Sequence, residues 1–440
     1  MPNKWNQYVA FARELMDREH IAGAAVAVAQ NGQVLFEQGF GYRDVEHKLP
    51  VTPETIFGIA SVSKSFTALA IMQLADAGLL SVDDPVTKFL PELQFKGVDD
   101  MNAIKVRHLL SHTTGLPPMR RRQDIATFAE HMQFLQNEDY TMLGRPGEYF
   151  SYCNDTFLLL GAIIERLSGR IYRKYMTQHV LDALGMYRST YSIEELTRFQ
   201  NVTVPYQWNR QAENWDAKEW PALGNFEVGG GVRSCVRDLL KYGQVYASGG
   251  QYNGEQIVSA QGINAMRRPM YRSGRKTWYC FALQVTPDHH GYTLVEHGGN
   301  QVGVASTFGF VPETGTVVAV LTNTSGASAS ALWLGAMNTA LGLPLDTPRS
   351  VEPEYSPTAQ EVQRVLGTYR AAEGGWITVK QESGQLEVET QEGTHAARMS
   401  SANTLVFTFK IPRVVRFYFR NHEPQAWAAL SGSRMLQRAE

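Results

Sequence analysis

The stretch IASVSKSFTALAIMQL, residues 59–74, places two serines and a lysine at the head of an apolar run. From Ser65 to Ala77 only Ser65, Thr67, Gln73 and Asp76 are polar. A helix that is apolar nearly all round is buried in a protein interior, and Gly78 is placed to end it as a C′ residue. Lys64 then falls on the first turn of a buried helix, where an ammonium is costly unless it is paired or used. Ser61 and Lys64 are three positions apart and share one face of that turn. Desolvation and the positive end of the helix dipole both lower a lysine's proton affinity. Such a lysine can help take the proton from a serine hydroxyl, and the Ser61 N–H can help hold an oxyanion. In the plainer reading Ser61 is an N-cap and Lys64 snorkels to the surface; the buried helix favours chemistry. A second S-x-x-K, Ser273-Gly274-Arg275-Lys276, lies in a charged loop with no buried helix after it and is set aside.

Around this helix the chain reads as α+β. Residues 22–44 form two strand-like runs about Asn31-Gly32, a dipeptide that favours a type I′ hairpin turn. Helical patterns dominate from about Ser61 to Tyr246, and strand patterns return in YTLVEHGG, VASTFGFV and TVVAVLTN, before a helix SASALWLGAMNTALG. Strands at both ends with helices between them predict an antiparallel sheet against a helical cluster. Prolines crowd the segment between Pro344 and Pro357, which reads as a linker. Beyond it, short alternating runs with turns about every ten residues predict an all-β sandwich or barrel. The expected division is 1–345, a linker at 346–358, and a C-terminal β-barrel domain at 359–440.

The bulk composition narrows the function classes. With 41 basic and 43 acidic residues and a net charge of −2, a nucleic-acid or anionic-membrane surface is not the expected main partner. Three scattered cysteines, Cys153, Cys235 and Cys280, suit neither a disulfide framework nor a zinc knuckle. The first twenty residues read as an amphipathic helix rather than a signal peptide, and no run of about 18 apolar residues predicts a membrane span. A cytoplasmic location is the expectation, although a mature exported fragment would read the same way.

Two further stretches carry candidate chemistry. In GEYFSYCNDTFLLLGAIIERLSG, Tyr152 and Asn154 precede a second strongly apolar helix. A tyrosine at a helix entrance beside a lysine can lose proton affinity and act as a base, and Asn154 offers both a donor and an acceptor. Asn154 or Asp155 is the expected cap. In LVEHGGNQVGVASTFGFV a strand runs into His297-Gly298-Gly299, and glycine in a strand often marks a close approach of ligand or backbone. The Asn300 N–H on that edge is a candidate second oxyanion donor. Taken singly, these stretches also fit a core tyrosine with a capping asparagine, and a glycine bulge with an incidental histidine.

Together and in this order, the three stretches resemble the serine hydrolase superfamily of class C β-lactamases, penicillin-binding DD-peptidases, D-aminopeptidases and related esterases. VRHLLSHTTGLP at 106–117 and VGGGVRSCVRDLLKYG at 228–243 are similar to the family as well. The resemblance covers about residues 10–340, and the C-terminal part more loosely resembles a lipocalin-like barrel appended to some members. It implies the β-lactamase/transpeptidase-like fold, with Ser61 as nucleophile, Lys64 as its proton partner and Tyr152 as general base or acid. It also implies Asn154 as a substrate and lysine contact, and His297, Gly298, Gly299 and Asn300 as the substrate-binding strand edge. The implied activity is cleavage of amide or ester bonds, in D-amino acid peptides, esters or β-lactams, through an acyl-enzyme. Neither metal nor organic cofactor is implied, and the partner is a small-molecule or peptide substrate.

One departure from the family pattern bears on specificity. HGG stands where K-T-G is usual, which removes or weakens a cationic hook and leaves esterase or amidase activity more open than β-lactamase activity. Two rivals remain: a slowly deacylating penicillin-binding sensor, and a non-catalytic scaffold that binds a partner. Oligomeric state is left open. His108 and His112, four apart, are read as packing residues rather than a metal pair, and Arg120-Arg121-Arg122 as solvated surface.

Overall fold

The structure is a computed structural model that describes residues 4–119, 122, 124–409, 411–420 and 423–439. Its centre is a nine-stranded antiparallel sheet. The strand order is Tyr271–Arg272, Trp278–Tyr279, Gln284–His289, Tyr292–Gln301, Val304–Val311, Thr316–Thr322, Gly23–Gln30, Gln33–Asp44 and Leu49–Pro50. The early hairpin joins the late strands through Gly23–Gln30, where Val26 pairs with Val320. Its turn residues Asn31 and Gly32 have φ of +49° and +79°, the left-handed conformations that turn needs.

The sequence GAAVAVAQ explains why this strand sits in the middle. Side chains alternate across a strand, and both faces here are covered. Ala25, Ala27 and Ala29 face a helical cluster that includes Phe66, Phe157 and Leu239. Ala24, Val26 and Val28 face the other way, onto Tyr8, Leu332 and Trp333 from the helices Lys4–Glu19 and Ala329–Leu341. The helix Ser63–Asp76 is buried along almost its whole length, as its composition predicts, and ends before Gly78 at φ +72°. A short 3₁₀ turn, Ala60–Val62, leads into it, so Ser61 stands ahead of the helix rather than capping it.

The C-terminal part closes into an eight-stranded barrel running from Gly367–Arg370 to Arg434–Arg438, whose first and last strands pair at Tyr369 and Arg438. One element differs from the all-β expectation. Ala359–Val365 is a helix, started by a capping box between Thr358 and Glu361. The proline-rich segment before it is firmly docked. Arg349 makes a bidentate pair with Glu296 at 2.7 and 2.6 Å, and Arg398 donates to the carbonyls of Glu352 and Pro353. The barrel shares an apolar cluster with the sheet domain, in which Trp427, Leu430 and Met435 meet Leu143, Phe150, Tyr152 and Tyr279. Each large apolar side chain buried this way contributes roughly 1.5–3 kcal/mol. Among the described residues, no helix is long and apolar enough to cross a membrane.

Candidate active site

The Ser61 turn is held in a conformation its own sequence disfavours. Ala60 has φ +45°, a left-handed setting that costs a non-glycine residue about 1–3 kcal/mol and persists only when its surroundings impose it. Those surroundings are visible. Ile59 N–H donates to Val232 O at 3.1 Å, and Ser306 Oγ donates to Ile59 O at 2.7 Å. The strand Tyr292–Gln301 lies flush against the turn at Gly299. A Cβ there would stand 2.3 Å from Ile59 O, 2.4 Å from Ser306 Oγ and 3.0 Å from Ser61 N. The second glycine of HGG is therefore required by packing. The first is not, since a Cβ on Gly298 would find only Ser306 O, at 3.8 Å. The neighbouring strand Gln284–His289 pairs no further than Glu296, so the 297–301 end runs beyond it. Asn300 on that end is exposed.

Lys64 is 1 % exposed, and its ammonium donates to Ser61 Oγ at 3.3 Å and to Gly229 O at 2.9 Å. It also lies 5.0 Å from the Tyr152 ring and 5.4 Å from the Phe157 ring. Burial, with the positive charge of Arg434 adding to it, lowers its pKa from 10.5 to about 7. A lysine near 7 spends much of its time as a free amine at neutral pH, able to accept the Ser61 proton. Gly229 belongs to the glycine-rich stretch after residue 227. A Cβ there would come 2.9 Å from Lys64 Nζ, so a larger residue would push the ammonium from its place.

Tyr152 is buried beside this pair. Its N–H donates to Ser433 O at 2.8 Å, and the His112 ring lies 4.0 Å from its own. Among the described residues its hydroxyl makes no hydrogen bond of full geometry, with the Ser61 hydroxyl close enough to act on it. Burial raises its pKa to about 12, although the nearby Ser61 hydroxyl and Arg434 pull it down. The sequence predicts that a tyrosine beside a lysine loses proton affinity; in the structure loss of solvent outweighs the Ser61 hydroxyl and the Arg434 charge. In the free protein Lys64 is thus the readier base, and Tyr152 is a phenol able to donate.

His297 is held neutral. Its Nδ1 donates to Gly298 O at 2.6 Å, which leaves Nε2 to accept from Tyr279 Oη at 3.1 Å. Burial, then the Lys64 charge, push its pKa down to about 3. It supplies no cation to the strand edge.

Asn154 is the first residue of the helix Asn154–Ser168. The N-cap position is Cys153, without a side-chain cap bond, so the expected cap at Asn154 or Asp155 is corrected. Among the described hydrogen bonds, those of Lys64 go to Gly229 and Ser61. The Cys153 thiol is buried and raised to about 11, which leaves it unreactive. His108 Nδ1 accepts from Lys105 N–H at the start of a short helix, while His112 Nδ1 meets the Cys153 backbone at 3.0 to 3.2 Å. The two histidines serve different places. Among the described residues, no group of three or more His, Cys, Asp or Glu could hold a metal. Of the arginine run, Arg120 and Arg121 lie outside the described residues, and exposed Arg122 pairs with Asp124.

Three site residues escaped the sequence reading: His112, Gly229 and Arg434. The first two lie in stretches that carry the family resemblance. Arg434 comes from the barrel, in a stretch that carries no such signal. Its guanidinium lies 4.6 Å from the Tyr152 ring centre, with Nε donating to Glu373 at 2.6 Å.

Residues 9–340 match the family model described as Beta-lactamase. Protein flp of Staphylococcus aureus (strain MW2) is 34% identical over 181 residues, which are 40% of this chain and 36% of that protein. The chain thus spans little more than a third of that relative's length. Penicillin-binding protein 4* of Bacillus subtilis (strain 168) is 24% identical over 426 residues, covering 92% of both chains. The octameric penicillin-binding protein homologue from Pyrococcus abyssi superposes with a TM-score of 0.72 at 28% identity, over 98% of this chain and 99% of that one. SurE superposes with a TM-score of 0.78 at 21% identity, over 99% of both chains, a likeness of fold.

Proposed function

The chain belongs to the beta-lactamase family, and from that premise we propose that it is a serine hydrolase of the penicillin-binding-protein type, acting through an acyl-enzyme on Ser61. The observation that carries this reading is the Lys64 ammonium, fully buried and 3.3 Å from Ser61 Oγ. A buried lysine near neutral pKa beside a hydroxyl is a means of activating a nucleophile.

In the proposed reaction Ser61 Oγ attacks a carbonyl carbon as its proton passes to Lys64. The carbonyl oxygen becomes an oxyanion between the N–H groups of Ser61 and Asn300. Tyr152 gives a proton to the leaving amine or alcohol as the tetrahedral species collapses. Water then attacks the ester on Ser61, with Lys64 and Tyr152 working in reverse. Asn154, His297, Gly298 and Gly299 shape the substrate side of the cleft. Neutral His297 favours esters and amides over substrates that need a cation on this strand; D-amino acid peptides, acyl esters and β-lactams are the classes to compare. In this reading residues 1–345 form the hydrolase domain, 346–358 a linker and 359–440 the barrel domain.

Intact-protein mass spectrometry with a fluorophosphonate and, separately, with penicillin tests the proposal. One adduct on the wild type that Ser61→Ala lacks is expected. A Ser61→Ala variant that still turns over esters would remove Ser61 from the role. A penicillin adduct that persists for hours would favour a slowly deacylating sensor. No adduct from either reagent on folded protein would favour a binding scaffold.

A further inference from the structure

We propose that Arg434, on the last hairpin of the barrel, is a positioning residue of the Ser61 site that sets the charge environment of Tyr152 and Lys64. This rests on the hydrolase reading above and assigns the barrel a part in it.

The hairpin is gripped at the site by two hydrogen bonds. Tyr152 N–H donates to Ser433 O at 2.8 Å, and Met435 N–H donates to Ser151 Oγ at 3.2 Å. These bonds fix the residues on either side of Arg434 against the segment that carries Tyr152. The guanidinium is then pinned over the Tyr152 ring by Glu373, through Nε at 2.6 Å, and by Ser433 Oγ, through Nη1 at 2.8 Å. Its side chain is 27% exposed, so it stands at the rim with its charge only partly screened.

Glu373 is the carboxylate paired with this guanidinium, and the groups on the Ser61 side add little opposing charge. His112 and His297 are neutral by burial. The Tyr279 phenol and the Cys153 thiol both keep their protons. Glu373 lies on the barrel side, and the carboxylate that Lys64 feels is Asp155, at the start of the helix after Tyr152. A guanidinium stays charged at any working pH. Arg434 lowers the proton affinity of Lys64, Tyr152 and His112. The strand edge, with HGG, has no cation of its own, and the barrel brings one to the tyrosine instead.

The test uses the full chain with Arg434→Gln, Arg434→Lys and Glu373→Gln. Two readouts are followed against pH: fluorophosphonate labelling at Ser61, and the ¹³Cε resonance of Lys64. For Arg434→Gln, the Lys64 titration and the acid limb of labelling are expected to move up by about one pH unit, so that labelling at pH 6 slows by about tenfold. Arg434→Lys should restore most of the shift. Glu373→Gln, which leaves Arg434 unneutralised, should move both readouts the opposite way, to lower pH. A purely structural role would not give opposite signs. The proposal is overturned if both charge variants superpose on the wild type or shift in the same direction. It also falls if the loss in Arg434→Gln is confined to KM for substrates bearing a carboxylate. Should the wild type never label at Ser61, the hydrolase reading fails, and the Lys64 resonance still decides the role of Arg434. If Arg434→Gln does not fold, the sign of the Glu373→Gln shift decides alone.

Discussion

The candidate site has two walls built on different principles. On one side Ser61 and Lys64 meet because they are three residues apart on a buried turn. On the other, Tyr152 is braced by Ser433 and Arg434, which reach it from a separate closed barrel. The first wall is local and follows from helix geometry. The second needs two folded bodies to dock. A helix turn brings a nucleophile and its base together, but the electrostatic setting in which they work is assembled at long range.

The sharpest way to break this comparison is to remove the proton-handling groups. Lys64→Ala and Tyr152→Phe should each lower kcat/KM for an ester by about 10²–10⁴-fold. The double variant should fall little below the worse single one, because the groups act as a unit. Fully additive losses in a kinetic double-mutant cycle would mean that the walls work independently.

A smaller effect is expected at the docking surface. Trp427 belongs to the apolar cluster shared by barrel and sheet domain and packs edge-on against Tyr149. Trp427→Ala should cost about 3 kcal/mol in denaturant unfolding. Labelling of Ser61 in the folded variant should slow far less than in Lys64→Ala. If labelling vanished while stability held, Trp427 would be acting on the site and not on the interface.

An effect of similar size on stability concerns the cost of burying Lys64. The folded protein releases the lysine proton near 7, whereas the unfolded chain holds it up to 10.5. Between those values the unfolded state binds more protons, so wild-type stability rises with pH across that window. Lys64→Met removes the penalty. The variant should be more stable than the wild type at pH 6 by on the order of a few kcal/mol. That gain should fade as pH rises from 7 toward 10.5. A pH-independent difference in unfolding free energy would show that Lys64 is not held below its usual range.

What was legible in the sequence follows the same division. The buried helix, its Gly78 terminus, the Asn31-Gly32 turn and the barrel's alternation are set by neighbours in the chain, and each appears where the pattern placed it. The Ser61–Lys64 contact was readable for that reason. The Gly229 carbonyl that holds the ammonium, the His112 ring against Tyr152, and Arg434 were not. Each arrives by packing between segments far apart in sequence. The raised proton affinity of Tyr152 was missed on similar grounds, since it depends on how completely distant elements exclude water. The helix Ala359–Val365 differs from the all-β expectation although its signal is local: Thr358 and Glu361 form a capping box amid strand-like periodicity.

The hairpin that braces Tyr152 also gives the site a history in time. Arg434 lies roughly 370 positions after Ser61, and at about 5–20 residues per second a ribosome needs roughly 20–75 s to cover that distance. The nascent chain therefore carries the serine, the lysine and then the tyrosine well before the barrel's last hairpin exists. During that interval the reactive pair has no Arg434 beside it. The final setting of the site waits until that hairpin has emerged and docked.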